Sequence, residues 1–200
     1  MNNVLFISHR INTINELKHV NGEYGIELDI RDSPDGKIRV VHDAFKDGEN
    51  LNDYLKHCNH KFIIFNIKSE RIESQILELI KKYNIFNYFF LDSSVPVIYK
   101  LITENNSNIA VRFSEYEPLE YVLMFSNKVQ WVWVDCFTKF ILTKENYKIL
   151  KNNNFKICIV SPELQGQPEK IEQYKKIILD NSIFPDAICC KQHYIDIWKK

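Results

Sequence analysis

The chain has 200 residues, with 26 Lys and Arg against 26 Asp and Glu, and 45% of it is apolar. That composition excludes a disordered or low-complexity chain and fits one domain over residues 1–200 with a core of useful size. Zero net charge gives no support for a nucleic-acid or anionic-membrane partner.

Eight short runs rich in Ile, Val, Phe and Trp predict strands at 4–8, 24–31, 61–68, 88–92, 108–114, 131–137, 155–161 and 186–191. A ninth extended piece, 38–42, follows the Ser33-Pro34-Asp35-Gly36 turn and reads as a loop arm. Between the first two strands the chain is short and weakly patterned. Ile72, Ile76, Leu79 and Ile80 mark one face of a helix over 69–83, with Lys81 and Lys82 at the end that favours cations. Pro96 opens a helix through Leu101, and Leu119, Val122 and Leu123 mark another after Pro118. Thr143 caps the helix of Tyr147 and Leu150, and Ile171, Tyr174, Ile177 and Ile178 mark the last long one.

Strands alternating with helices predict a parallel α/β fold. Eight such units in 200 residues point to a compact (β/α)8 barrel. A doubly wound open sheet is the alternative, but no GxGxxG or P-loop follows the first strand. Cys58, Cys136, Cys158, Cys189 and Cys190 show no zinc spacing and read as reduced residues of a cytoplasmic protein. No secretory signal is visible, and no apolar run approaches the ~20 residues that span a bilayer, so stable membrane insertion is not expected.

In a parallel barrel the chemistry gathers at the C-terminal ends of strands. The first strand ends in Ser8-His9-Arg10, the second carries Glu27, Asp29 and Arg31, the arm ends in His42-Asp43, and the third strand ends in Asn66-Ile67-Lys68. Glu27 and Asp29 are two apart, so they share a strand face, while Ile26, Leu28 and Ile30 take the other. On an inward face two carboxylates repel, are poorly hydrated and call for a cation. Oxygen-only ligands favour Mg2+, with Ca2+ or Mn2+ as alternatives. His9 and His42 suit general acid and base near neutral pH, and Arg10 and Lys68 suit phosphate oxygens. Together these groups describe a phosphoryl-transfer site. Arg112, Asp135, Glu163, Gln165 and Lys191 stand near later strand ends as candidates to line a substrate pocket, with internal pairing equally open. Trp131 and Trp133 share a face that reads as packing.

The segments Ile7-Ser8-His9-Arg10, Gly25-Ile26-Glu27-Leu28-Asp29-Ile30, Asp35-Gly36 and Val40-Val41-His42-Asp43 resemble the glycerophosphodiester phosphodiesterase family. Phe65-Asn66-Ile67-Lys68 is similar to that family's E-x-K strand. The match covers roughly residues 4–70. The resemblance implies a (β/α)8 barrel, a divalent metal and a small-molecule phosphodiester substrate. It implies His9 and His42 as acid and base, Glu27 and Asp29 as metal ligands, and Arg10 and Lys68 on the phosphate. Ile11 stands where the family has Gly, and Asn66 where it has a third acidic ligand. Two other activities remain open on the residues: a phosphatase or cyclising phosphodiesterase of surface-polysaccharide metabolism, and a non-catalytic barrel binding phosphorylated ligands.

Overall fold

The computed structural model describes residues 4–200. It contains two compact units: one is Ser8–Glu104, and the other joins Asn105–Lys200 to the start of the chain up to Ile7. The first strand, β1 (Leu5–Ser8), is anchored in the latter by the Leu5 N–H, which donates to the Asp186 carbonyl at 3.0 Å.

The Ser8–Glu104 unit runs α1 (Ile14–Leu17), β2 (Gly25–Asp32), β3 (Ile38–Val40), β4 (Glu49–Asn50), α2 (Leu51–Leu55), β5 (Phe62–Ile67), α3 (Glu73–Lys82), β6 (Tyr88–Leu91) and α4 (Val95–Thr103). Its strand order is β4-β3-β2-β5-β6. β2, β5 and β6 are parallel, and β3 and β4 fold back antiparallel. The arm predicted over 38–42 is therefore a strand of the sheet. β2 and β5 are apolar enough to be buried on both faces, as interior parallel strands are. Their register sets Glu27 beside Ile64 and Asp29 beside Asn66. α1 starts at a capping box, Thr13 with Glu16, which holds a four-residue helix that its apolar pattern alone does not mark. α3 buries Ile76 and Ile80 and carries Lys81 and Lys82 in its last turn, as the sequence pattern predicts.

The Asn105–Lys200 unit continues with β7 (Ala110–Phe113), α5 (Leu119–Leu123), β8 (Trp131–Val134), α6 (Lys144–Asn152), β9 (Lys156–Val160), α7 (Ile171–Asp180), β10 (Ala187–Cys190) and α8 (Ile195–Lys199). The order is β1-β10-β9-β8-β7, with β7 to β10 parallel. Trp131 and Trp133 pack in its core. Trp198 is fully buried and its Nε1–H donates to Ser161 Oγ at 2.7 Å, fastening α8 to the end of β9. All five cysteines are free thiols. Among the described residues no helix is long and apolar enough to cross a membrane.

Candidate active site

β2 alternates acid with isoleucine or leucine, so the strand's own period puts Glu27 and Asp29 on one face. Both are buried, at 0% and 2% exposure. Glu27 Oε1 accepts from Asn66 Nδ2 at 2.8 Å, and Oε2 accepts from the Arg10 backbone N–H at 2.7 Å. His9 Nε2 lies 3.7 Å from the same Oε2. Burial and, after it, the neighbouring Asp29 charge push the Glu27 carboxyl up to about 7, against the opposing pull of Asn66, the Arg10 N–H and Lys68. Glu27 is thus a carboxylate with too little positive charge around it.

Arg10 supplies its N–H by adopting φ +59°. A left-handed backbone costs a residue with a Cβ about 1–2 kcal/mol. Such strain persists only where surrounding bonds over-determine it. Here they do. The Ile11 N–H donates to the Glu27 carbonyl at 2.8 Å, and the Ile11 carbonyl accepts from the buried Tyr54 hydroxyl at 2.7 Å. The turn leaves Arg10 Nε 3.4 Å from Asp29 Oδ2.

Asp29 is clamped by Asn12. Asn12 Nδ2 donates to Asp29 Oδ2 at 2.8 Å, and the Asp29 backbone N–H donates back to Asn12 Oδ1 at 2.9 Å. Lys68 Nζ sits 3.7 Å from Asp29 Oδ1 and 3.3 Å from Asp92 Oδ2. Asp92 also holds a positive φ, of 62°. His9, Arg10, Glu27, Asp29, Asn66 and Lys68 therefore form one cluster within the Ser8–Glu104 unit, carried by the body of β2, the end of β5 and the turn before α1.

His42 Nδ1 is 2.7 Å from Asp43 Oδ1, and this hydrogen bond holds the Asp43 carboxyl below the usual range. A carboxylate on Nδ1 favours the tautomer that leaves Nε2 to exchange a proton with a ligand. The His42 carbonyl accepts from Arg31 Nη2 at 3.2 Å. An open cleft of about 580 Å3 is lined by Arg10, Asn12, His42, Asp43, Lys46 and Glu49, so Arg10 joins the carboxylate cluster to the His42 wall.

The cluster's donor set suits a hard divalent cation. Asn66 Oδ1 is buried with no hydrogen-bond partner, an acceptor aimed at nothing in the protein. Glu27 and Asp29 add carboxylate oxygens. Among the described residues no three His, Cys, Asp or Glu side chains group as metal ligands; a cation here would be held by two carboxylates and one amide oxygen.

The other five candidates belong to the Asn105–Lys200 unit, and the side chains of four are engaged within it. Arg112 Nη1 pairs with Asp135, its Nε lies 3.6 Å from Glu117, and Asp135 Oδ1 accepts from Gln165 Nε2 at 2.7 Å. Glu163 accepts from the Ser161 hydroxyl and, at 2.9 Å, from the Lys191 N–H. The Lys191 side chain is exposed. Nearby, the Glu115 carboxylate is held by the N–H groups of Phe137, Thr138 and Lys139 at 2.7 to 3.1 Å. Burial alone would raise its pKa, but these donors outweigh it and hold the group at about 2.

Two site residues escape sequence reasoning: Asn12, and Glu49, whose Oε1 accepts the Ile14 N–H at 2.7 Å. The capping box Thr13-x-x-Glu16 was the available signal for Asn12, since it fixes a turn immediately after it.

No protein-family model matches the sequence, and a search among curated proteins finds no relative. Solved structures do superpose. A glycerophosphodiester phosphodiesterase from Agrobacterium tumefaciens str. C58 matches with a TM-score of 0.62 at 13% identity, over 93% of this chain and 96% of that one. A glycerophosphoryl diester phosphodiesterase from Parabacteroides distasonis ATCC 8503 matches with a TM-score of 0.66 at 12% identity, over 99% and 87%. The chain thus has the α/β fold of the (β/α)8 class anticipated from its strand–helix rhythm, and shares it with glycerophosphodiester phosphodiesterases of two bacteria.

Proposed function

We propose that the chain is a metal-dependent phosphodiesterase that hydrolyses a small polar diester of glycerophosphodiester type. The observation that carries this reading is the buried, under-compensated Glu27 beside Asp29, with His9 and Arg10 at its edge. The fold shared with two such enzymes supports it.

Glu27, Asp29 and Asn66 Oδ1 would hold the cation, Mg2+ by donor type. When bound, it supplies charge neutralisation for a nonbridging phosphate oxygen. Arg10 and Lys68 bind the remaining phosphate oxygens and orient the diester. His42, steadied through Nδ1 by Asp43, exchanges a proton at Nε2, and His9 exchanges one at the edge of Glu27. One takes the proton of the attacking nucleophile, a water or a substrate hydroxyl whose cyclic ester water then opens, and the other protonates the leaving oxygen. We place the enzyme in the cytoplasm.

The test is phosphorus NMR of purified protein with glycerophosphodiesters, in Mg2+, Mn2+, Ca2+ or EDTA. Metal-dependent release of a phosphomonoester is expected. A cyclic phosphate as final product would reassign the reaction to cyclising transfer, and no turnover in any condition would remove the hydrolase reading.

A further inference from the structure

A second, larger cleft lies on the arm side of the Ser8–Glu104 unit, with a volume of about 810 Å3. It shares Lys46 and Asp47 with the cleft of His42, so the two are contiguous. Arg31 ties them together, lining the larger cleft while Nη2 donates to the His42 carbonyl. The volume falls among small-molecule sites and exceeds what a glycerol unit fills.

Its chemistry is mixed and balanced. Three cations, Arg31, Arg39 and Lys46, face three carboxylates, Asp32, Asp35 and Asp47. Arg39 is committed to Asp35 at 2.8 Å and to the Gly48 carbonyl. Arg31 is not: no carboxylate lies within ion-pairing distance of it among the described residues, and its Nε–H has no hydrogen-bond partner. Such a wall selects neither a cation nor an anion by net charge. It offers donors and acceptors side by side, which is what several hydroxyls on one ring require. At the rim, Phe45 holds its ring fully in solvent on a left-handed backbone. An exposed aromatic face suits the C–H face of a saturated ring.

We infer that this cleft is the subsite for the substrate's alcohol group, and that the alcohol is a neutral, hydroxyl-rich ring, a cyclitol or a sugar. The inference rests on the phosphodiesterase reading for the placement of the phosphate. Arg31 contacts ring hydroxyls, and Phe45 covers the ring's apolar face.

The experiment compares glycerophosphoinositol with glycerophosphocholine, by calorimetric affinity and by hydrolysis, in wild type, Phe45→Ala and Arg31→Gln. The inositol diester is expected to bind about tenfold tighter, the loss expected when a site's polar groups go unpaired by the wrong ligand. Each variant should shrink that ratio several-fold. The ratio cancels any common loss transmitted through His42. Equal affinities, a preference for choline, or a ratio unmoved by both variants would overturn the subsite. If neither diester is hydrolysed, the catalytic reading fails while the calorimetric ratio still decides this one. Absence of binding by both overturns both.

Discussion

The two units treat carboxylates that are wholly or partly buried in opposite ways. In Ser8–Glu104, Glu27 is driven up to about 7 and Asn66 Oδ1 is left without a partner. In Asn105–Lys200, Glu115 is held at about 2 by backbone N–H groups, Asp135 takes Arg112 and Gln165, and Glu163 takes Ser161 and the Lys191 N–H. Asn66 in the first set, and Glu115, Asp135 and Glu163 in the second, stand at or just past the C-terminal ends of parallel strands. Position alone therefore does not separate the two sets. Deficit does: a carboxylate short of positive charge is poised to take a cation or a proton, whereas a satisfied one holds loops in place.

The largest contrast should come from removing the acids. Glu27→Ala or Asp29→Ala is expected to cost at least ~10³-fold in turnover and to abolish calorimetric metal binding, because several kcal/mol of charge stabilisation go with the cation. Asp135→Asn should leave metal affinity unchanged. In wild type, metal affinity should climb with pH through about 7, as Glu27 loses its proton. Metal affinity that survives both alanine changes would strike these two acids from the ligand set.

Next come the histidines. His9→Ala and His42→Ala should each lose about 10²–10⁴ in rate. The double change should lose little more, since groups serving one step are not additive. Single-turnover kinetics decides this, and losses that multiply would separate the two into different steps.

Smaller effects should follow from Asn12 and Asn66, which hold or complete the proposed ligand set. Asn12→Ala is expected to weaken metal binding by about 10–100-fold, because Asp29 loses the partner that fixes Oδ2. Asn66→Asp should tighten metal binding in the free enzyme by adding charge, without raising the rate, since a further anion opposes an anionic substrate. Calorimetry with and without a nonhydrolysable diester separates these effects. Wild type should show tighter metal binding with the diester present, and Asn66→Asp less of that assistance.

The smallest effect on activity belongs to Glu115→Gln, which should instead cost about 2 kcal/mol of stability, the worth of charged hydrogen bonds to its carboxylate. The folded pKa is depressed to about 2 from 4.5, so this stabilisation is present above 4.5 and is lost as pH falls toward 2. Acid melts of the variant should lose that dependence. A variant as acid-sensitive as wild type would place the transition elsewhere.

Much of the carboxylate site was legible because a strand's period of two is a strong constraint. Acids alternating with Ile and Leu can point only one way, and His9, Arg10 and Lys68 follow from strand ends. What was not legible depends on backbone geometry that no residue type announces. Arg10 adopts a conformation usually left to glycine, and Asn12 meets Asp29 only because it does. β4 is two residues long and the stretch into α2 has no periodicity to read. For Arg112 and Glu163 the strand ends were visible, but each takes one partner near in sequence, Glu117 or Ser161, and one far from it, Asp135 or the Lys191 N–H, and no spacing announces the far one.

The left-handed turn at Arg10 sets durability against use. Replacing Arg10 with glycine would release about 1 kcal/mol of strain and leave its N–H still able to reach Glu27. It would also discard the guanidinium beside Asp29. With Arg10 in the phosphate-binding role proposed above, selection for heat tolerance alone would drift toward glycine at this position and collect well-folded, inactive proteins, so a thermostability screen of this chain needs an activity filter from its first round.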